Sequence, residues 1–106
     1  MTREVYKRAA VRRDLVKHFV HLAENAGLDT ADRFLANADR CFCELAQQPE
    51  MGSPLTLKRP AFAAMRKWRV PDFEAYLVFY LPRRDGISVV RVLRAEQDWW
   101  SLLGMA

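Results

Sequence analysis

Two histidines, His18 and His21, stand three residues apart in a run with helical spacing, so their rings can lie side by side on one helix face. Such a pair holds a metal when a carboxylate joins it, and Asp14 or Glu24 is close enough in sequence to serve. Lys17 and Glu24 mark the face of His21 as solvated, however, which favours surface histidines over a metal site. Cys41 and Cys43 are two apart in a helical run and hence about 200° apart around it. They cannot face each other, so structural filler or a surface thiol is preferred to a metal or redox pair. The densest cations are Arg66, Lys67 and Arg69, with Arg83 and Arg84 further on. Strand alternation puts Arg66 with Trp68 on one face and Lys67 with Arg69 on the other. Arginine beside an aromatic suits a nucleic acid or an acidic peptide, and an edge strand kept soluble by charge is the plain alternative. Trp68 itself reads as core rather than recognition surface. Trp99 and Trp100 are about 100° apart on a helix, so both cannot bury against one surface. One packs and the other is a candidate binding anchor, unless a dimer or a second core contact takes it.

The elements that must position these residues follow from periodicity. Ala64 to Arg94 holds three runs rich in β-branched and aromatic residues, separated by P-D-F-E and P-R-R-D-G. That pattern predicts an antiparallel meander with strands at Met65–Val70, Ala75–Leu81 and Ile87–Arg94. The middle strand offers Leu77, Phe79 and Leu81 to one face and Tyr76, Val78 and Tyr80 to the other. The last offers Ile87, Val89 and Leu93 to one face and Val90 and Val92 to the other. Strands apolar on both faces must be covered on both.

Upstream, Val11, Leu15, Phe19, Leu22 and Ala26 form a helical stripe widened by Val16, Val20 and Ala23, with Arg13, Lys17, His21 and Glu24 opposite. Gly27 and Leu28 fit a Schellman-type ending. A second helix is expected from Asp29, acting as its cap, to Gln48 before Pro49, with Ala31, Phe34, Leu35, Ala38, Phe42 and Leu45 as its stripe and Cys41 and Ala46 at the edges. Arg3–Arg8 reads as an edge strand or a frayed terminus, residues 49–63 as a loop, and Glu96–Leu103 as one or two helical turns with Trp99, Leu102 and Leu103 apolar. The fold class is therefore α+β, an N-terminal strand and a helical hairpin packed on a small antiparallel sheet. The hairpin covers one sheet face. The other, showing Tyr76, Val78 and Tyr80 or the alternate set, is expected to stay partly open as a partner site.

Composition sets the outer limits. A chain of 106 residues is expected to form a single domain over residues 1–106, and 51% hydrophobic with 28% charged residues excludes a disordered class. The net charge of +4 suits an acidic partner or a merely solvated surface. The N-terminus M-T-R-E-V-Y-K-R has no apolar core of a signal peptide and no run reaches the length of a membrane span, so a soluble, cytoplasmic chain with no membrane partner is expected.

Six pieces, in order, carry a family resemblance: D-L at Asp14, A-x-R-F-L at Ala31–Leu35, L-A-x-x-P-x-M-G at Leu45–Gly52, M-R-K-W-R-V at Met65–Val70, Y-L-V-F-Y at Tyr76–Tyr80 and I-S-V-V-R-V-L-R at Ile87–Arg94. Together they resemble the ParE branch of the RelE/ParE toxin superfamily, over roughly Val5 to Leu103. The resemblance implies a bacterial type II toxin and a cognate acidic antitoxin, commonly ParD-like, whose C-terminal segment wraps it. RelE-like members cut messenger RNA on the ribosome, whereas ParE-like members with known targets act on DNA gyrase.

Cutting RNA through its 2′-hydroxyl needs a base, an acid and cations at the phosphate. Here Tyr76 stands where the nucleases typically carry an arginine, and E-Q-D-W-W-S-L-L offers no tyrosine or histidine. Arg94 replaces the histidine of the R-V-L-H often seen in ParE-like chains, removing a group that titrates near neutral pH. The leading expectation is a binding toxin with no catalytic residue, metal or cofactor. Its antitoxin- or target-binding candidates are Arg66, Trp68, Arg69, Tyr76, Tyr80, Arg94, Trp99 and Trp100. The alternatives are a ribosome-dependent endoribonuclease of the RelE kind and an inactive relative that only binds its antitoxin.

Overall fold

The computed structural model describes residues 3–55, 60 and 63–103, and of Trp100 the backbone alone. Strand β1 (Glu4–Lys7) leads into helices α1 (Ala9–Ala26) and α2 (Leu28–Gln47). Strands β2 (Ser53–Pro54), β3 (Arg66–Val70), β4 (Phe73–Arg83) and β5 (Gly86–Arg94) follow, and a short α3 (Trp99–Leu102) ends the described chain. The five strands form one sheet in the order β1-β5-β4-β3-β2, with β1 parallel to β5 and the other pairs antiparallel. The N-terminal stretch is thus an edge strand, pairing Val5 with Ile87 and Lys7 with Val89. Arg3 ties its start to the body, donating to the carbonyls of Ala46 at 2.9 Å and Arg84 at 3.2 Å.

Gly27 alone connects the two helices, at a φ of +95° that a side chain would disfavour. The second helix begins at Leu28, one residue earlier than its sequence suggests. Asp29 therefore lies in the first turn, suited to the helix dipole, and makes no capping hydrogen bond. On the sheet face under the hairpin, Phe34, Ala38, Phe42 and Leu45 of α2 pack on Tyr76, Val78 and Tyr80 of β4 and Ile87, Val89 and Val92 of β5. Tyr80 is fully buried and Tyr76 is 6% exposed, so of the two rows that could have faced away from the hairpin this one lies beneath it.

The β5 register also differs from strict alternation. Phe79 pairs with Arg91 but Tyr80 with Val89, so Val90 is an extra residue, a β-bulge. Past the bulge the alternation inverts: Val92 joins Ile87 and Val89 under the hairpin, while Leu93 joins Val90 on the second face. That second face carries its own core. Met65, Phe79, Val90, Leu93 and Leu103 are buried together, with Leu55, Leu77, Leu81 and Trp99 packed against them. The chain's own C-terminal helix thus closes much of the face expected to await a partner.

α1 is rotated relative to its apolar stripe. Its buried residues are Val11, Asp14 and His18, while Val16 is 63% and Val20 46% exposed. The cause lies at the edge of β5. β1 pairs with β5 only through Val89, so Val92, which pairs with Val78 of β4 on its other side, has no strand on this edge. Asp14 and His18 take the place of that strand. The Val92 amide donates to Asp14 Oδ2 at 3.0 Å, and His18 Nε2 donates to the Val92 carbonyl at 2.7 Å. Buried backbone groups need partners, and two polar side chains turned inward supply them.

Candidate functional site

The basic strand does two different jobs. Arg66 is turned to the loop before β2, where its Nη1 donates to the carbonyls of Glu50 at 3.0 Å and Gly52 at 2.6 Å. Tyr80 works on the same loop: its hydroxyl donates to the Pro49 carbonyl and accepts from the Gly52 amide, both at 2.8 Å. Gly52 is needed there, since a Cβ would come within 2.8 Å of the Lys67 carbonyl. Arg66 and Tyr80, both candidates from the sequence, are therefore occupied in fastening a loop. Burial pushes the Tyr80 phenol above its ordinary value despite the Gly52 amide.

Trp68 is half-buried against the core beneath the hairpin. Tyr76 lies under the helices, its ring 4.9 Å from that of His18 and 4.7 Å from Phe34. Burial raises its pKa too, with Arg94 pulling the other way. Arg94 is half-buried, ion-paired with Glu96, with its Nη1 3.4 Å from His21 Nε2. Trp99 stacks at a tilt on Phe79, centroids 5.4 Å apart. The side chain of Trp100 lies outside the described residues. Arg69 is exposed on the outer part of β3.

The histidines divide. His21 is exposed as expected, but His18 is not a surface residue: at 3% exposure it is held to Val92, and burial lowers its pKa. Beside it, Arg91 binds Asp14 through two bonds of 2.7 Å and reaches the Leu102 carbonyl at 3.1 Å, linking α1, β5 and α3. Asp14 raises the Arg91 pKa further. Cys41 is buried, its thiol pushed up to about 12 by that burial, while Cys43 is exposed. Among the described residues no group of three His, Cys, Asp or Glu side chains is placed to hold a metal. Nor, among them, is any helix long and apolar enough to cross a membrane.

An open apolar surface lies elsewhere, on the outer side of the hairpin. A cavity of about 380 Å³ is lined by Lys7, Arg12, Leu15, Val16, Phe19 and Leu35. It adjoins a second of about 400 Å³ that shares Lys7, Leu15 and Leu35 and reaches Phe42. Val20 continues the row one turn beyond Val16. Arg12, Arg13 and Lys17 surround Val16, and Lys7 sits over the Phe42 ring at 5.7 Å. The result is an apolar groove with a mainly basic rim, in which Asp39 stands 3.8 Å from Lys7 as the acidic member. None of its residues was a site candidate from the sequence. The usable signal was the width of the α1 stripe, where Val16, Val20 and Ala23 exceed what one buried face needs.

Comparison with known proteins agrees with this architecture. No curated protein matches the chain. A solved structure described as a chromosomal ParDE TA system from P. aeruginosa is similar in fold, with a TM-score of 0.70 at 14% identity over 88% of this chain and 96% of that one. A family model described as the ParE toxin of the type II toxin–antitoxin system parDE matches residues 5–99. That match takes in the hairpin, the sheet from Val5 onward and the start of α3, and the chain belongs to the ParE toxin family.

Proposed function

We infer that this ParE-type toxin acts by binding a cellular target, DNA gyrase by analogy with its family, and that a ParD-like antitoxin neutralises it. The antitoxin's seat is the outer groove of the hairpin rather than the sheet face. One observation carries the placement: apolar Leu15, Val16, Phe19 and Leu35 are ringed by Lys7, Arg12, Arg13 and Lys17. An amphipathic helix with acidic flanks complements that surface, its apolar residues filling the groove and its carboxylates meeting the rim. Val16 at 63% and Val20 at 46% exposure are large apolar groups that a partner would remove from water.

A binding mode is favoured over message cleavage by what the polar groups already do. Tyr80 and Arg66 hold the loop before β2, and His18 and Asp14 complete the edge of β5. None is presented to a substrate. Val16→Asp and Val20→Asp test the seat, because both positions are exposed and the fold should tolerate them. Each should weaken the complex with the cognate antitoxin at least tenfold, about 1.4 kcal/mol, with thermal stability nearly unchanged. Unaltered affinity in both variants would move the antitoxin off the hairpin.

A further inference from the structure

The second face of the sheet is not closed throughout. Trp99 and Leu103 pack over Phe79, Val90 and Leu93, but towards β2 the face opens into a cavity of about 300 Å³. Ser53, Lys67, Arg69, Glu74, Leu77 and Ala95 line it. Directly opposed residues of neighbouring strands share a face, and Lys67 pairs with Phe79 while Arg69 pairs with Leu77. Both cations therefore stand on this face. Neither side chain has an ion-pair or hydrogen-bond partner among the described residues. We propose that this cavity binds a carboxylate side chain carried by an extended acidic segment of a partner protein.

Three features select a carboxylate over the backbone of a nucleic acid. Two cations on one face can receive a single carboxylate through charge-assisted hydrogen bonds, and the Ser53 hydroxyl adds a donor at the rim. Leu77 and Ala95 supply an apolar wall for the methylene stem of a glutamate. Glu74 leaves the cavity with a net charge of only one, which a lone carboxylate neutralises. A single-stranded nucleic acid would also want an aromatic platform. Trp68 borders the cavity but packs against the core under the hairpin, and Trp99 lies on Phe79.

The site lies on the opposite face of the sheet from the hairpin, so it stands or falls independently of the antitoxin groove. The test uses two labelled probes of equal charge: an end-blocked octapeptide alternating glutamate with valine, and a short oligothymidylate. Binding to the full-length protein is followed by fluorescence anisotropy up to millimolar concentration. The peptide should bind more tightly than the oligonucleotide, and Lys67→Ala with Arg69→Ala together should weaken it at least tenfold. A charge-matched control, Arg40→Ala with Arg84→Ala, should change it less than threefold, and Glu74→Gln should tighten it. The Glu74→Gln arm keeps the proposal testable even if the double variant folds poorly. Equal losses in the two double variants would reduce the effect to net charge and overturn the proposal. So would absence of peptide binding, or tighter oligonucleotide binding that depends on Lys67 and Arg69.

Discussion

Asp14 and His18 show how much of this fold hangs on two polar residues turned inward. Asp14 serves Arg91 and the Val92 amide at once, and its removal would leave a half-buried guanidinium and a buried N–H without partners. Asp14→Ala should cost about 3 kcal/mol in chemical denaturation, the low end for a buried pair because Arg91 keeps 22% exposure. His18 gives the fold a pH dependence. Burial lowers its pKa in the folded state, so the unfolded chain binds more protons just below the ordinary histidine value of 6.5. The contribution of neutral His18 is complete above that value and is lost as pH falls through the lowered folded pKa. Denaturation midpoints should therefore drop on acidification below 6.5, and His18→Gln should flatten that slope. A slope unchanged in the variant would assign it to other groups. Neither role was readable beforehand, since His18 and Asp14 on a helix look like ordinary solvated residues until the missing strand beside Val92 is known.

At the scale of elements, the helices and strands were readable because their periodicities are strong. α2 buries Ala31, Phe34, Ala38, Phe42 and Leu45, the stripe its spacing implies. Phe42 is 1% exposed and central to that stripe, so Phe42→Ala should open a cavity and cost about 3–5 kcal/mol by denaturant titration. A loss of under 1 kcal/mol, as at surface positions, would contradict that packing. What alternation could not reveal is the bulge at Val90. A single extra residue reverses the faces of everything after it, and nothing in I-S-V-V-R-V-L-R marks which residue is extra. The rotation of α1 was hidden for a related reason. It answers to the free edge of β5, a fact of topology rather than of local pattern.

For the whole molecule, the family and the layered architecture were readable from motifs in order, while the groove proposed as the antitoxin's seat was not. Of the residues singled out for binding, Arg66, Tyr76 and Tyr80 turn out to brace the structure, and Arg69 remains exposed beside an open cavity. That proposed groove emerged only once α1 was seen to present Val16 and Val20 outward. Its basic rim implies charge-steered association, so Arg12→Glu should slow antitoxin binding, with the difference from the parent shrinking as salt rises. Stopped-flow rates that do not depend on salt would contradict the steering. The most direct measurement of function is DNA supercoiling by purified gyrase with increasing toxin, with and without the antitoxin. Supercoiling should be blocked or cleaved plasmid trapped, and the antitoxin should reverse the effect. Unimpaired supercoiling, with the same preparation cutting message codon by codon on translating ribosomes, would contradict a gyrase-binding toxin.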